Sequence, residues 1–322
     1  MSFQFKKAIR EQVGLLIGLA GGTGSGKTFS SLRLAAGISG DRPFAFIDTE
    51  ASRGLHYADQ FNFDHGDLKP PFTPQAYAEA ILAADMAGYP AIVVDSCTHE
   101  WAGEGGVLEM HEDELERMAG DDYAKRERVK MAAWIKPKMD HKKMVQRLLQ
   151  VRAHLILCFR AEEKVEMIKD NKGKTVIVPK TSLTGINGWM PVCEKNLPFE
   201  LTASFLLTAD APGMPKAIKL QEQHKIMFPL NQPIDEESGR KIATWASGGK
   251  VVNSYVTVAI AEFRSLTSLD ALKTSFGRAY TRAKKSGDTS DMTILQNAYD
   301  KAKDTLTAPQ EAAINSDEDP TI

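Results

Sequence analysis

Short apolar runs of strand length alternate with amphipathic segments along the first part of the chain. Four such runs lie at residues 13–20, 42–50, 91–96 and 154–159. Uninterrupted apolar runs of this length are typical of strands that are buried on both faces of a parallel sheet. The segment at residues 73–90 begins with Thr-Pro and has the pattern of a helix. This alternation predicts an α/β fold with a mainly parallel central sheet and right-handed crossovers.

The pattern becomes more polar after the third run. Residues 97–150 are rich in helix-forming residues, and we expect Pro137 to begin a helix that leads into the fourth strand. Residues 163–180 alternate on both sides of Asp-Asn-Lys-Gly, which predicts a β-hairpin insertion. Further elements are expected after the hairpin, namely strands at residues 199–208 and 217–223 and a short helix at residues 235–249.

The end of the chain has a different character from the rest. After a pair of glycines at residues 248–249, helical patterns predict a small α-helical C-terminal appendage. The last fifteen residues are acidic and poor in apolar residues, a composition typical of disorder. We therefore predict a core domain at residues 1–248, a helical module at 249–307 and a disordered acidic tail at 308–322.

Composition narrows the classes of function. The 322 residues carry a formal net charge of −2, so any contact with nucleic acid must be local. Three cysteines without Cys-x-x-Cys spacing fit reduced thiols, and the seven histidines show no metal-ligand spacing. No run of 18 apolar residues is present, and the first twelve residues lack the apolar core of a signal peptide. We expect a soluble, cytoplasmic protein.

The strongest chemical signal is a glycine-rich loop. Gly21–Thr28 reads Gly-x-x-x-x-Gly-Lys-Thr between a predicted strand and a predicted helix, the setting of a phosphate-binding loop. Glycines let successive backbone N–H groups surround a phosphate, and a helix N-terminus favours an anion. Lys27 is expected to reach the β- and γ-phosphates, and the hydroxyl of Thr28 to ligate Mg²⁺. The predicted nucleotide-binding residues are Gly21, Gly22, Thr23, Gly24, Ser25, Gly26, Lys27, Thr28 and Phe29.

A second residue of the Mg²⁺ site is expected at the end of the third strand. Residues 91–96 read Ala-Ile-Val-Val-Asp-Ser, and an aspartate after four apolar residues is the form of the second metal-site strand in P-loop NTPases. Asp95 is therefore the candidate carboxylate. Its alternative role is that of a helix cap, because aspartate is also favoured at that position.

The ends of the second and third strands resemble those of the RecA-like branch of P-loop ATPases. They read Phe-Ile-Asp-Thr-Glu and Ile-Val-Val-Asp-Ser. The resemblance implies that Glu50 activates the attacking water and that the nucleotide is ATP, and it carries over Lys27, Thr28 and Asp95 as placed above. AAA-type enzymes mostly place the glutamate directly after the strand aspartate, where this chain has Ser96. A solvated strand end is the alternative for Glu50.

The fourth strand and its neighbourhood carry a second resemblance. Arg160 ends that strand, where a polar side chain would lie beside the γ-phosphate, although RecA-like proteins more often have glutamine there. Residues 134–166 resemble bacteriophage AAA-type ATPases, in which a tryptophan, a proline-started helix and a strand followed by Arg-x-Lys-x-Glu recur. This chain departs from that spacing by one residue. The resemblance covers residues 12–246, and it implies a phage-encoded protein of DNA recombination or replication that is related to single-strand-annealing ATPases.

Self-association is a further implication of the RecA-like resemblance. RecA-like rings and filaments complete the active site with basic residues from a neighbouring subunit, which stabilise charge on the transferred phosphoryl group. Lys219 and Lys225 are the candidates for such trans contacts. Two surface lysines on a strand edge are the alternative.

Two local basic segments are candidates for contact with single-stranded DNA. The first, at residues 125–147, contains Trp134 and follows directly after Tyr123. Aromatic side chains among basic ones are what base stacking requires. The second is the predicted hairpin, which follows the fourth strand, where RecA-like proteins carry a DNA-binding loop. Acidic residues nearly cancel the charge of the hairpin, and mixed charge is usual on a solvated face. The candidate DNA-contacting residues are Lys136, Lys138, Lys142, Lys169, Lys172 and Lys174.

The sequence thus predicts a RecA-like P-loop ATPase that uses ATP and Mg²⁺ and acts with single-stranded DNA in the cytoplasm of a bacterial host cell. The alternative is a nucleotide-gated adaptor or loader that recruits a helicase or annealing protein and does not itself bind DNA. A small-molecule kinase shares the phosphate-binding loop, but the sequence shows no separate acceptor-site or lid motif.

Overall fold

Two compact units make up the chain. The computed structural model describes residues 14–169, 171, 173–180, 188–248, 254–286 and 289–307. Contacts between residues divide the chain into Met1–Gly248 and Gly249–Ile322. The predicted acidic tail at 308–322 and the candidate DNA contact Lys172 lie outside the described residues.

A mainly parallel sheet forms the centre of the first unit. The strands of this unit are β1 (Leu16–Gly21), β2 (Phe44–Asp48), β3 (Phe63–Asp67), β4 (Ala91–Asp95), β5 (His154–Glu163), β6 (Val165–Lys169), β7 (Thr175–Pro179), β8 (Trp189–Pro191), β9 (Ala203–Thr208) and β10 (Ala211–Lys219). The order across the sheet is β10-β9-β1-β5-β4-β2-β3, and β8 pairs with β5. Neighbours are parallel except β9 with β10 and β5 with β8. This confirms the predicted α/β fold.

Helices cover both faces of the sheet. In the first unit they are α1 (Lys27–Ser39), α2 (Pro74–Ala87), α3 (Thr98–Ala102), α4 (Val107–Ala119), α5 (Tyr123–Ala133), α6 (Ile135–Leu148), α7 (Leu197–Glu200) and α8 (Glu236–Ala246), with 3₁₀ turns at Arg53–Tyr57 and Glu222–His224. Alternate residues of β1 enter opposite apolar clusters. Leu16 and Ala20 join the cluster that contains residues of α2 and α6, whereas Ile17 and Leu19 join the one that contains residues of α1 and α8. Burial on both faces explains why β1 is apolar throughout.

The carboxyl ends of the parallel strands meet at one edge of the sheet. There β1 ends at Gly21, β2 at Asp48 and β4 at Asp95, while β5 passes through Arg160 between β1 and β4. Ligands of open parallel sheets bind at this edge. The fold therefore brings together residues that are far apart in the sequence.

Several predicted elements are confirmed with close boundaries. Thr73 is the N-cap of α2, and its side chain accepts a hydrogen bond from the backbone N–H of Ala76 at 3.1 Å. The hairpin forms from β6 and β7, which are antiparallel and place Met167 opposite Ile177. A separate small sheet results, outside the central one.

Other boundaries were wrong, and each error has a physical reason. Pro137 is the third residue of α6 and not its first. Proline is tolerated there because the first four N–H groups of a helix have no intrahelical partner. The predicted strand at 199–208 begins only at Ala203, because residues 197–200 form α7 with a proline in its first turn. The strand predicted at 217–223 runs instead from Ala211 to Lys219. Two prolines obscure its signal, and an edge strand tolerates them.

The second unit consists of three helices in the part of the chain that the structure describes. These are α9 (Ser254–Ser265), α10 (Leu269–Ser286) and α11 (Thr289–Thr307). Their buried residues include Phe263, Leu272 and Leu295, one from each helix, so the unit has an apolar core of its own. Among the described residues, no helix has the length and hydropathy needed to cross a membrane.

Candidate functional site

The predicted phosphate-binding loop connects β1 to the first turn of α1. Gly24 and Gly26 have φ values of 74° and 82°, a region that side chains other than glycine rarely adopt. Gly21 is required for a different reason: a Cβ there would lie 2.4 Å from the carbonyl oxygen of Leu207. The loop is tied by Lys27, whose Nζ donates to the carbonyl oxygen of Gly22 at 2.9 Å. The sequence signature therefore forms the compact turn that places backbone N–H groups at a helix start.

Thr28 and Asp95 form a pair of oxygen ligands beside this loop. Thr28 Oγ1 donates to Asp95 Oδ2 at 2.5 Å, across 67 positions of sequence. Asp95 is buried, and desolvation raises its pKa to about 6, while the hydrogen bond from Thr28 and the charge of Lys27 act in the opposite direction. A hydroxyl and a carboxylate at the mouth of a phosphate-binding loop fit Mg²⁺, which prefers oxygen ligands and takes the rest from phosphates and water.

Glu50 lies at the same edge and is held by two arginines. Arg160 donates to Glu50 Oε1 from Nη2 at 2.7 Å and from Nε at 3.2 Å. Arg53 Nη1 lies 3.4 Å from the other carboxylate oxygen, Oε2. The two oxygens of Glu50 therefore face two different cations. The sequence singled out Glu50 and Arg160 separately but did not indicate that they form an ion pair.

Asp48 is a site residue whose role the sequence did not show. Its buried carboxylate accepts hydrogen bonds from the backbone N–H of Glu50 at 2.7 Å and of Gly54 at 2.8 Å. His65 Nε2 lies 3.2 Å from Asp48 Oδ2. The two acids that end the predicted second strand thus differ in function, since Asp48 fixes the turn and Glu50 faces the cavity.

Hydrogen bonds also join the ends of β2 and β4. Ser96 N donates to Thr49 Oγ1 at 2.8 Å, and Thr49 Oγ1 lies 2.8 Å from His99 Nδ1. Tyr77 donates from its hydroxyl to the carbonyl oxygen of Ser96 at 2.8 Å. Burial lowers the pKa of His99, and the nearby positive charge of Arg160 lowers it further. These contacts fix the spacing between the strand ends that carry Glu50 and Asp95.

A cavity of about 700 Å³ joins these groups. Its lining includes Lys27, Thr28, Glu50, Asp95 and Arg160, together with the loop glycines 21, 22 and 24. Thr23 of the predicted nucleotide-binding set also lines it. The segment after β2 adds Arg53, His56 and Tyr57, to which the sequence prediction gave no role. A volume of this size is in the range of small-molecule sites.

Three residues of the predicted nucleotide-binding set, Ser25, Gly26 and Phe29, do not line the cavity. The ring of Phe29 lies 6.0 Å from that of Tyr57 and 5.7 Å from that of Phe61. Phe29 therefore supports Tyr57, which does line the cavity. An aromatic ring beside a phosphate-binding loop offers a surface on which a base can stack.

Another cavity, of about 810 Å³, is larger but lies away from the phosphate-binding loop. Its lining includes Arg42, Tyr89 and His154 and contains none of the predicted site residues. Size alone does not identify the functional site here, because only the smaller cavity combines the loop, the carboxylates and the arginines.

The candidate trans lysines contact their own chain in this structure. Lys219, at the end of β10, donates to the carbonyl oxygen of Phe199 at 2.6 Å. Lys225 pairs with Glu222 at 2.6 Å on the surface. Neither lysine lines the cavity of its own chain.

The candidate DNA-contacting lysines fall into two groups. Lys136, Lys138 and Lys142 are exposed on α6, where Lys136 pairs with Glu114 at 3.4 Å and Lys138 lies over the ring of Trp134. Trp134 itself stacks on His111 at 4.0 Å and on Trp101 at 6.0 Å, so its ring is used in packing.

Lys169 and Lys174 form the second group. Both are exposed beside the turn of the β6–β7 hairpin.

The comparison with protein families agrees with the geometry. A family model described as AAA domain matches residues 14–191, more than half of the chain. The match includes the phosphate-binding loop, Glu50, Asp95, Arg160 and the hairpin. No curated protein matches the chain.

Proposed function

The chain belongs to the AAA domain family of P-loop ATPases, and we propose that it binds ATP with Mg²⁺, hydrolyses it, and couples hydrolysis to single-stranded DNA. The observation that carries the proposal is the convergence of Lys27, the Thr28–Asp95 pair and Glu50 on one cavity. Family membership supports nucleotide binding. Hydrolysis, the DNA substrate and the cellular role are the parts that we propose.

The site residues have separate roles in phosphoryl transfer to water. The loop N–H groups and Lys27 bind the phosphates, and the carboxylate of Glu50 accepts a proton from the attacking water. Thr28 and Asp95 would hold Mg²⁺, which neutralises phosphate charge when bound. Arg160 orients Glu50 through its two hydrogen bonds to Oε1. Tyr57 offers its ring to the base, and we propose adenine from the RecA-like resemblance.

The hairpin supports the choice of single-stranded DNA. It follows directly after β5, whose residues Ala161 and Glu162 line the cavity, and it carries exposed lysines at positions 164, 169, 174 and 180. Exposed lysines on an element that follows a strand of the site would link phosphate contacts on DNA to the state of the nucleotide. The proposed setting is DNA recombination or replication, phage-encoded, in the cytoplasm of a bacterial host cell.

Self-association is part of the same proposal. Charge on the transferred phosphoryl group is stabilised when a neighbouring copy supplies a cation. We propose that Lys219 and Lys225, which here contact Phe199 and Glu222 of their own chain, serve a neighbouring copy in a ring or filament.

A nucleotide-gated adaptor is the second candidate, and one observation favours it. Val165, Met167 and Ile177 lie on one face of the hairpin and are exposed, with Met167 75% and Ile177 67% accessible. Exposed apolar side chains of this kind are typical of contacts with protein. In that case the hairpin binds a helicase or annealing protein, and DNA has no direct effect on turnover.

Steady-state ATP hydrolysis with and without single-stranded DNA separates the two candidates. The proposal predicts that DNA raises the rate and that the double variant Lys169→Gln/Lys174→Gln loses the increase. Each phosphate-contacting lysine that is removed should reduce the salt slope of DNA binding by about 1. The matched control is Lys301→Gln/Lys303→Gln, two exposed lysines of α11. A rate that ignores DNA in the unmodified chain would favour the adaptor.

A further inference from the structure

Arg53 is a cation of the cavity to which no role has been given so far. It lines the same cavity as Lys27 and Glu50, and its side chain is 76% exposed. Its contact with Glu50 Oε2 is a single one, at 3.4 Å, whereas Arg160 makes two contacts with Oε1 at 2.7 and 3.2 Å. The two arginines therefore bind Glu50 unequally, and Arg53 is the weaker and more exposed partner.

The backbone before Arg53 is shaped to direct it toward the cavity. Ala51 and Ser52 have φ values of 57° and 61°, the left-handed region that residues with a Cβ rarely adopt. Two consecutive residues in this conformation are costly, and such strain is retained mostly at functional sites. The hydrogen bonds from Glu50 N and Gly54 N to Asp48 hold the turn in this form. The strained turn thus places Arg53 beside Glu50 and in the cavity.

We propose that Arg53 binds the terminal phosphate of the nucleoside triphosphate and that Glu50 Oε2 is its partner only while that phosphate is absent. The inference rests on the proposed function, because it concerns the triphosphate of the same site. An exposed ion pair at 3.4 Å is weak and easily exchanged. A triphosphate presents several anionic oxygens, and a guanidinium binds phosphate with two parallel hydrogen bonds.

The exchange has a consequence for the chemistry. When Arg53 moves from Glu50 to the phosphate, Oε2 becomes free to accept the proton of water, while Arg160 still holds Oε1. Binding of the triphosphate therefore frees the base that activates the attacking water. A diphosphate lacks the terminal group and leaves Arg53 on Glu50. Arg53 is accordingly a residue that distinguishes a triphosphate from a diphosphate.

Binding of a non-hydrolysable ATP analogue and of ADP, each with Mg²⁺, tests the inference by calorimetry on the full chain. Charge-assisted hydrogen bonds justify an expected loss of about tenfold in affinity for the analogue in Arg53→Gln, with ADP affinity changed by less than about twofold. Arg53→Lys should retain part of the affinity, because it keeps the charge without the fork. The matched control is Arg240→Gln, which removes an exposed arginine that pairs with a glutamate three residues earlier, as Arg53 does.

Different failures point to different parts of the account. If the unmodified chain binds neither nucleotide, the proposed function is wrong and the inference falls with it. If it binds both, and Arg53→Gln leaves both affinities unchanged, only the inference is wrong. An equal loss for the analogue and ADP also overturns it, since that result indicates a structural role. Glu50→Gln provides a second test, because removal of the competing carboxylate should tighten binding of the analogue but not of ADP.

Discussion

A single buried carboxylate, that of Asp48, holds the turn from which Glu50 and Arg53 extend. It accepts hydrogen bonds from the backbone N–H groups of Glu50 and Gly54, which would otherwise be buried or partly buried without a partner. Leaving a buried backbone N–H without an acceptor costs about as much free energy as the loss of a hydrogen bond. Asp48 therefore acts on the site through the backbone and touches no substrate in the proposed mechanism.

Asp48→Ala should lower the free energy of unfolding by about 2–4 kcal/mol, because two backbone donors lose their acceptor. Asp48→Asn retains one acceptor oxygen and should cost less. Urea unfolding of the full chain measures both, with Asp67→Asn on the neighbouring strand β3 as the control at an exposed carboxylate. An Asp48→Ala variant as stable as the unmodified chain would show that the turn does not depend on this carboxylate.

At the scale of residues, the sequence indicated the candidate site residues that belong to a contiguous motif. It missed the roles that depend on tertiary contacts. Lys27, Thr28 and Asp95 were located by spacing and by strand context. The pairing of Arg160 with Glu50 spans 110 positions, and nothing local to either residue indicates it. Arg53 was missed for the same reason, since an arginine three residues after a glutamate is common on protein surfaces.

Helices α1 and α8 approach each other more closely than ordinary side chains allow. A Cβ at Gly37 would lie 2.0 Å from the carbonyl oxygen of Glu236, and one at Gly239 would lie 2.3 Å from that of Leu34. Arg33 pairs with Glu236 at 2.6 Å beside this contact. Because α1 begins at Lys27 of the phosphate-binding loop, the packing of α8 also supports the position of the loop.

Gly37→Ala should therefore destabilise the first unit by about 2–4 kcal/mol, since a rigid backbone atom of the facing helix must move. Gly277→Ala in α10 is the matched control, because a Cβ there meets no atom within 4 Å. That change should instead stabilise the second unit by about 0.5–1 kcal/mol through helix propensity. Thermal unfolding followed by circular dichroism measures both, and equal effects of the two substitutions would contradict this packing argument.

At the scale of elements, strongly apolar or well-capped segments were predicted and weakly patterned ones were not. β1 and β4 are buried along their whole length and were evident from the sequence. β3 was missed because Phe-Asp-His-Gly-Asp has little apolar content, as is common for an edge strand. The predicted position of β10 was wrong because its two prolines are more typical of a loop. An edge strand, which β10 also is, tolerates them.

The whole molecule extends beyond the part that the family comparison matches. The match ends at residue 191, yet β9 pairs in parallel with β1, and β10 continues the sheet. Phe205 and Phe228 pack in the same apolar cluster as Leu19 of β1. The first unit is therefore completed by residues after the matched region, and the helical second unit has a separate core.

The central claim is that the cavity is the site of an ATPase in which Lys27 binds phosphate and Glu50 activates water. The most direct test is hydrolysis and binding of MgATP by the full chain beside its Lys27→Ala and Glu50→Gln variants. The account predicts that Lys27→Ala abolishes binding. It also predicts that Glu50→Gln retains binding and loses about 100-fold or more in turnover, as expected for removal of a general base. Undiminished turnover in Glu50→Gln, or full-strength binding in Lys27→Ala, would contradict it.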